Sequence, residues 1–147
     1  GKRRSVTAPD NANIVYGGTQ TSPVIPKLNG RPLPGNEFVK FSLPVNYMQQ
    51  AKGPYKVIDN REVTTLEKTY KAGSYGELKN SIAVNGGGGG YLSNEISYRS
   101  IRLRDALNSS IPTGHIHTPR IQQFEPETEA KIVKQIKAML EQSLVAL

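Results

Sequence analysis

The chain has 147 residues, 19 basic against 12 acidic side chains, a formal net charge of +7, and no cysteine. The lack of cysteine excludes disulfides, thiolate metal sites and a thiol nucleophile, and no apolar run approaches the ~18 residues of a membrane span. The basic residues are scattered and not interleaved with aromatic side chains, so a nucleic-acid partner is not expected.

Proline and glycine are frequent in residues 1–40, which predicts a loop-rich segment with short extended pieces. Ser42, with Pro44 in the first turn, predicts a helix that runs to about Ala51. A short strand is expected at residues 55–58.

The middle of the chain contains the most unusual composition. Residues 61–84 are polar and ambiguous, apart from an extended candidate at 81–84. Five of the 14 glycines then form one run at 86–90, directly before a predicted helix. From residue 91 to about 107 the apolar side chains recur at helical spacing. They predict a stripe that faces the core: Leu92, Ile96, Leu103 and Leu107.

The last third is predicted to hold a short loop and strand at residues 112–117, followed by a long helix. Pro126 suits the start of that helix, and acidic residues surround its positive end. Its predicted buried face consists of Ile132, Val133, Ile136, Met139, Leu140 and Leu144. Because strands and helices alternate, we predict an α/β fold with a mostly parallel sheet and helices on both faces.

The glycine run raises the question of chemistry at the start of the following helix. Ser93 would lie in the first turn, where unpaired backbone amides stabilise an anionic nucleophile, and glycines allow close approach to the main chain. His117 follows 24 residues later at the end of a predicted strand, which suits a general base. Two simpler interpretations stay open: a capping serine with a satisfied histidine, and a flexible glycine linker.

Four segments together carry a resemblance to a known family: residues 42–45 (SLPV), 54–60 (PYKVIDN), 89–94 (GGYLSN) and 115–119 (HIHTP). They resemble pyroglutamyl peptidase I, the pyrrolidone-carboxylate peptidases. The resemblance implies an α/β/α sandwich in a single domain over residues 1–147 and a cytoplasmic location. It also implies removal of an N-terminal pyroglutamate from a peptide, with no cofactor and no metal.

The resemblance also assigns positions to site residues. Ser93 falls where the family has its nucleophilic cysteine, and His117 falls where it has the base. Ala8 stands at the position of the orienting glutamate, and Gly18 at that of an arginine that helps to bind the oxyanion. Gly89 and Gly90 belong to the oxyanion turn.

Further departures concern larger segments. The family's first strand would precede Gly1, and about 61–84 would be an insertion. A serine needs a well-oriented base, and loss of the orienting carboxylate costs about four orders of magnitude in turnover. We therefore expect an inactive peptidase-like protein.

The alternative is a non-catalytic binding or structural protein on the same fold, associated with a protein partner that supplies the missing strand. His115 and His117 would both point to one face of a strand, and such a pair can bind zinc. With two histidines and no cysteine in the chain, a metal is not expected.

Overall fold

A computed structural model describes residues 1–2, 27–89 and 92–146 of the chain. The described residues fall into two compact units. The first, here called the sheet unit, spans Gly1–Phe41 and Asn60–His115. The second, the helical unit, spans Ser42–Asp59 and Ile116–Leu147. Ala8, Gly18 and Gly90 lie outside the described residues.

The sheet unit is built on a three-stranded antiparallel sheet. Its strands are β3 (Glu62–Thr65), β4 (Thr69–Lys71) and β5 (Ala83–Asn85), with β3 in the centre. Both strand pairs are antiparallel. The predicted parallel α/β/α sandwich is therefore wrong. Three residues between β3 and β4 suffice for a hairpin, whereas a parallel pair needs a crossover of a dozen residues or more.

A second, smaller sheet precedes it. Strands β1 (Lys27–Leu28) and β2 (Arg31–Pro32) form a hairpin closed by Asn29 and Gly30. Both turn residues have positive φ, 51° and 76°. That pair of dihedrals belongs to the type I′ turn, for which Asn-Gly is a preferred sequence.

The core of the sheet unit lies on one face of β3. Val63 and Thr65 are buried while Glu62 is exposed, so the strand alternates with a period of two. The apolar residues that share this core are Phe38, Val63, Ala72, Leu78 and Ala83, with Tyr70 packed against them. The ambiguous polar segment 61–84 thus provides most of the sheet. Its β-branched residues favour strands even though threonine lowers the apolar content.

Two predicted strands are absent from their positions: residues 55–58 and 112–117 form neither strand nor helix. The strand predictions covered Val57 and Ile58 in the first segment and Ile116 in the second. Ile58 is largely exposed, and neither segment pairs with a β-strand. A short apolar run forms a strand only where another strand is available to satisfy its backbone groups.

The helix after the glycine run is confirmed: α2 spans Leu92–Ala106. Its predicted orientation is wrong. The four residues expected to face the core are 58–68% exposed, and we call them the outer stripe: Leu92, Ile96, Leu103 and Leu107. The opposite face is buried instead and consists of Asn94, Ser97, Tyr98 and Ile101.

The reason for this orientation lies in what α2 packs against. Residues 35–40 form no regular secondary structure, so their carbonyl groups need donors from elsewhere. The Tyr98 hydroxyl donates to the carbonyl of Asn36, and Arg104 Nη2 donates to that of Lys40 at 3.3 Å. A helix that packs on an irregular backbone needs polar groups on its inner face.

The helical unit consists of α1 (Val45–Met48) and α3 (Pro126–Leu144). Both helices were predicted, although α1 is shorter than expected. They pack against each other, with Met48, Ile132 and Met139 buried. Gln135 is buried among them, and its Oε1 accepts the backbone N–H of Tyr55 at 2.9 Å.

The predicted buried face of α3 is only partly correct. Ile132 and Met139 lie inside, whereas three of the predicted residues are more than half exposed: Val133, Leu140 and Leu144. Within residues 1–2, 27–89 and 92–146, no helix is both long enough and apolar enough to cross a membrane.

Candidate functional site

Ser93 lies in the first turn of α2, where the sequence placed it, and is exposed. Its carbonyl oxygen accepts a hydrogen bond from Ser97 Oγ at 2.6 Å. His117 is also exposed and lies in the irregular segment between α2 and α3. Ser93 belongs to the sheet unit and His117 to the helical unit. Their pairing stays a prediction, without the parallel sheet on which it depended.

The glycine run packs against neighbouring backbone. A Cβ on Gly88 would lie 2.9 Å from the Asn94 Cα and 3.0 Å from the Asn94 nitrogen, and a Cβ on Gly87 would lie 3.0 Å from the Asn60 carbonyl oxygen. Gly89 has φ +81° and open space around it. Side chains at Gly87 and Gly88 would collide with these neighbours, so the glycines here serve close packing on the start of α2.

Asn94 is the residue of α2 on which this packing centres. It is 2% exposed, and its side chain pairs with both backbone polar groups of Gly1. The Gly1 nitrogen donates to Asn94 Oδ1 at 2.9 Å, and Asn94 Nδ2 donates to the Gly1 carbonyl at 2.9 Å. The Asn94 side chain thus offers Gly1 one acceptor and one donor, which are the groups that the backbone of a paired β-strand also offers.

Lys2 is held as firmly as Gly1. Its side chain is buried, and its Nζ lies 3.2 Å from Glu37 Oε1 and donates to the Gly35 carbonyl at 2.9 Å. The Lys2 backbone nitrogen donates to the Glu37 carbonyl at 2.6 Å. A buried ammonium group needs such a set of acceptors, because an unpaired charge in the interior is strongly unfavourable.

We call the surroundings of these two residues the Gly–Lys cradle: Gly35, Glu37, Phe38, Asn85, Gly86 and Asn94. A Cβ on Gly1 would lie 2.8 Å from the Asn85 carbonyl oxygen and 3.0 Å from the Phe38 ring. A Cβ on Gly86 would collide with the Gly1 nitrogen. Both glycines are therefore required by the close contact of two backbone segments.

Burial lowers the pKa of the Gly1 amino group from 8.0 to about 5, and the negative charge of Glu95 opposes this effect in part. Glu95 itself is bound by Arg99, whose Nε lies 2.6 Å from Glu95 Oε1. The amine at the cradle is accordingly neutral at pH 7. A neutral N–H satisfies Asn94 Oδ1 without a buried positive charge.

Sequence reasoning missed the cradle. The one signal in the sequence was Asn94, a polar residue in the first turn of the predicted helix. Ser93, the preceding residue, was interpreted as the functional group there, and Asn94 was given no role. Among the residues that the structure describes, no group of three His, Cys, Asp or Glu side chains could hold a metal ion. His115 and His117 belong to different units.

Comparison with known proteins gives a family. Residues 19–122 match the family described as "PA0049, C-terminal domain". The chain belongs to this PA0049 C-terminal domain family. The matched span includes β1 to β5, the glycine run and α2, and it leaves out Gly1, Lys2 and α3. The resemblance to pyroglutamyl peptidase I is therefore wrong, because no such family matches and the sheet is antiparallel.

One curated relative is similar to this chain over a short stretch. It is "Uncharacterized protein PA0049" of Pseudomonas aeruginosa, 65% identical over 37 residues. That stretch covers 25% of this chain and 7% of the relative, so most of the relative lies outside the similarity. No solved structure matches the chain.

Proposed function

We propose that this chain is a non-catalytic protein-binding domain that docks a partner through the outer stripe of α2. The supporting observation is the orientation of that helix. Its buried face carries the polar residues Asn94 and Ser97, while the aliphatic side chains of the outer stripe are exposed. A row of exposed aliphatic side chains on one helix face is typical of a protein interaction site.

The spacing of the outer stripe supports a helical partner. Its members are separated by four, seven and four residues, which places them within an arc of about 60° at 100° per residue. A narrow apolar seam along four turns suits another helix lying alongside, as in helix-in-groove and coiled-coil recognition. We therefore propose an amphipathic helix of about four turns as the occupant.

Charge favours an acidic partner over a second copy of this chain. The chain carries a net charge of +7, and α2 contains three arginines against two acidic residues. Arg99 also lies on the same face as Ile96 and Leu103. Arg99 is ion-paired with Glu95 of the same helix, so its charge is partly compensated. The net positive charge of the chain as a whole disfavours a second copy and attracts acidic side chains on a partner.

A binding assay with designed helices tests this proposal. One peptide carries leucine at heptad spacing with flanking glutamates, and a matched peptide carries lysines in place of the glutamates. We expect the acidic peptide to bind at least tenfold more tightly, and the Ile96→Asp/Leu103→Asp variant to lose at least tenfold in affinity. The matched control is Val133→Asp/Leu140→Asp on α3, where affinity should not change.

Other outcomes would contradict the proposal. The proposal would be wrong if both peptides bound equally tightly. It would also be wrong if the α3 control variant lost as much affinity as the α2 variant. Concentration-dependent self-association abolished by the α2 variant would indicate a second copy instead. Binding to anionic vesicles with no preference between peptides would indicate a lipid surface. Hydrolysis of a pyroglutamyl substrate that stops in the Ser93→Ala variant would overturn the non-catalytic assignment.

A further inference from the structure

We propose that the Gly–Lys cradle is a sequence-specific peptide-recognition site, which takes a glycine followed by a lysine and is occupied in this chain by its own residues 1–2. It uses neither the outer stripe nor Ser93. The two proposals can therefore fail independently.

The first position of the site selects glycine by shape. The Gly1 Cα faces the Asn85 carbonyl and the Phe38 ring, and these leave no room for a Cβ. Both walls are rigid: Phe38 is 5% exposed within the core, and Asn85 is paired with Thr64 in the sheet. A side chain at this position would have to displace core or ladder atoms, which interiors resist.

The backbone of the first residue is read by one side chain. Asn94 supplies an acceptor and a donor to Gly1, so one side chain binds both backbone polar groups of the glycine. An amide N–H within a longer chain would donate to Asn94 Oδ1 as the amine does. Recognition at this position therefore depends on the backbone of a glycine and not on a free terminus.

The second position selects lysine by charge and reach. Glu37 holds the Lys2 ammonium group and the Lys2 backbone nitrogen, the first through its carboxylate and the second through its carbonyl. The Gly35 carbonyl is a second acceptor for Nζ. Charge-assisted hydrogen bonds of this kind are about twice as strong as neutral ones. An uncharged side chain at the second position would lose the contacts of the Lys2 ammonium group with Glu37 Oε1 and the Gly35 carbonyl.

The distribution of these residues along the chain supports a separate ligand. Every residue of the cradle lies within the span that matches the family, 19–122, whereas Gly1 and Lys2 lie outside it. The two residues add no strand to the sheet. They are held through five polar contacts with the cradle, without burial of an apolar side chain. Such contacts can be exchanged for those of an identical segment in another molecule.

The test supplies the segment in trans. The Gly1→Ala/Lys2→Met variant of the full chain weakens the segment in cis, and a peptide of residues 1–6, labelled at its carboxyl end, is titrated into it at pH 8. We expect saturable 1:1 binding. Peptides with alanine for the glycine, or methionine for the lysine, should bind about ten- to a hundredfold more weakly. The unsubstituted chain should also bind the first peptide at least tenfold more weakly, because its own segment competes at high effective concentration.

The site itself is tested by adding Glu37→Gln to the same variant, which should weaken peptide binding at least tenfold. Absence of peptide binding, or equal binding of the three peptides, would overturn the proposal. A second measurement covers the case in which the variant fails to fold. Lys2→Met, Glu37→Gln and the double change are compared by urea unfolding. We expect coupling of at least fivefold in the unfolding equilibrium constant, and additive effects would also overturn the proposal.

Discussion

The hydroxyl of Tyr98 donates to the backbone carbonyl of Asn36 from the buried face of α2, where the side chain is 1% exposed. This contact fixes the helix on an irregular segment of backbone. It also explains why the outer stripe lies on the opposite side of α2. The packing of α2, of the glycine run and of Gly1 can each be tested by measuring the stability of the fold.

The first concerns the hydroxyl itself. Tyr98→Phe keeps the ring but removes the donor, so we expect the free energy of unfolding to fall by about 1–2 kcal/mol. Tyr75→Phe is the matched control, because its hydroxyl donates to the Phe38 carbonyl at 2.8 Å from a side chain that is 44% exposed. Urea denaturation should show a smaller loss for Tyr75. A larger loss for Tyr75 would contradict the assigned orientation of α2.

The second compares two aliphatic residues two positions apart. Ile101 is fully buried, whereas Leu103 is 61% exposed. We expect Ile101→Ala to lower the free energy of unfolding by about 2–5 kcal/mol, and Leu103→Ala to change it by less than about 0.5 kcal/mol. A larger loss of unfolding free energy for Leu103→Ala than for Ile101→Ala would instead support the orientation of α2 predicted from the hydrophobic pattern. Chemical denaturation measures both losses.

The third concerns the glycine run. Gly88→Ala places a Cβ 2.9 Å from the Asn94 Cα, and neither backbone can yield easily. We expect a loss of about 1–3 kcal/mol in the free energy of unfolding. Gly76→Ala is the control, since its Cβ would lie 3.6 Å from Ser74 Oγ, an ordinary contact. Equal melting temperatures for the two variants would instead favour a linker at this position.

The fourth is a pH dependence. The Gly1 amine has its pKa lowered to about 5 in the fold against 8.0 in the unfolded chain. Between these values the unfolded state binds more protons, so stability should rise from pH 5 to pH 8 and level off above. The N-acetylated chain lacks this group and serves as the control. Unfolding free energies that rise equally in both forms would assign the effect to other residues.

The helices could be predicted from the sequence because their signals are local. Pro126 and the acidic residues around it mark the start of α3, and the glycine run precedes α2. The sheet could not be predicted in the same way. Its strands are three or four residues long, and threonines conceal them in the apolar pattern. The pairing of β3 with β4 is decided by the hairpin between Thr65 and Thr69, not by the alternation of strands and helices.

The candidate site shows a different limit. The periodicity of α2 was identified correctly, but periodicity alone does not say what a helix packs against. The carbonyl groups of Asn36 and Lys40 belong to an irregular segment and have no partner within a helix or sheet. They accept hydrogen bonds from side chains of α2 instead, so the face of α2 that packs on this segment carries polar groups. The cradle depends on contacts between residues 93 positions apart, Gly1 and Asn94. No local sequence pattern predicts a contact between residues so far apart in the chain.

Glu37 makes one carboxylate serve two distant parts of the sheet unit. Oε1 faces the Lys2 ammonium group, and Oε2 accepts the backbone N–H of Ala83 at 2.9 Å. Withdrawal of the lysine would remove the ion pair at Oε1, while Oε2 holds the first residue of β5. The first two residues of the chain are thus linked through one carboxylate to a strand of the core, and their departure would change the electrostatic surroundings of that strand.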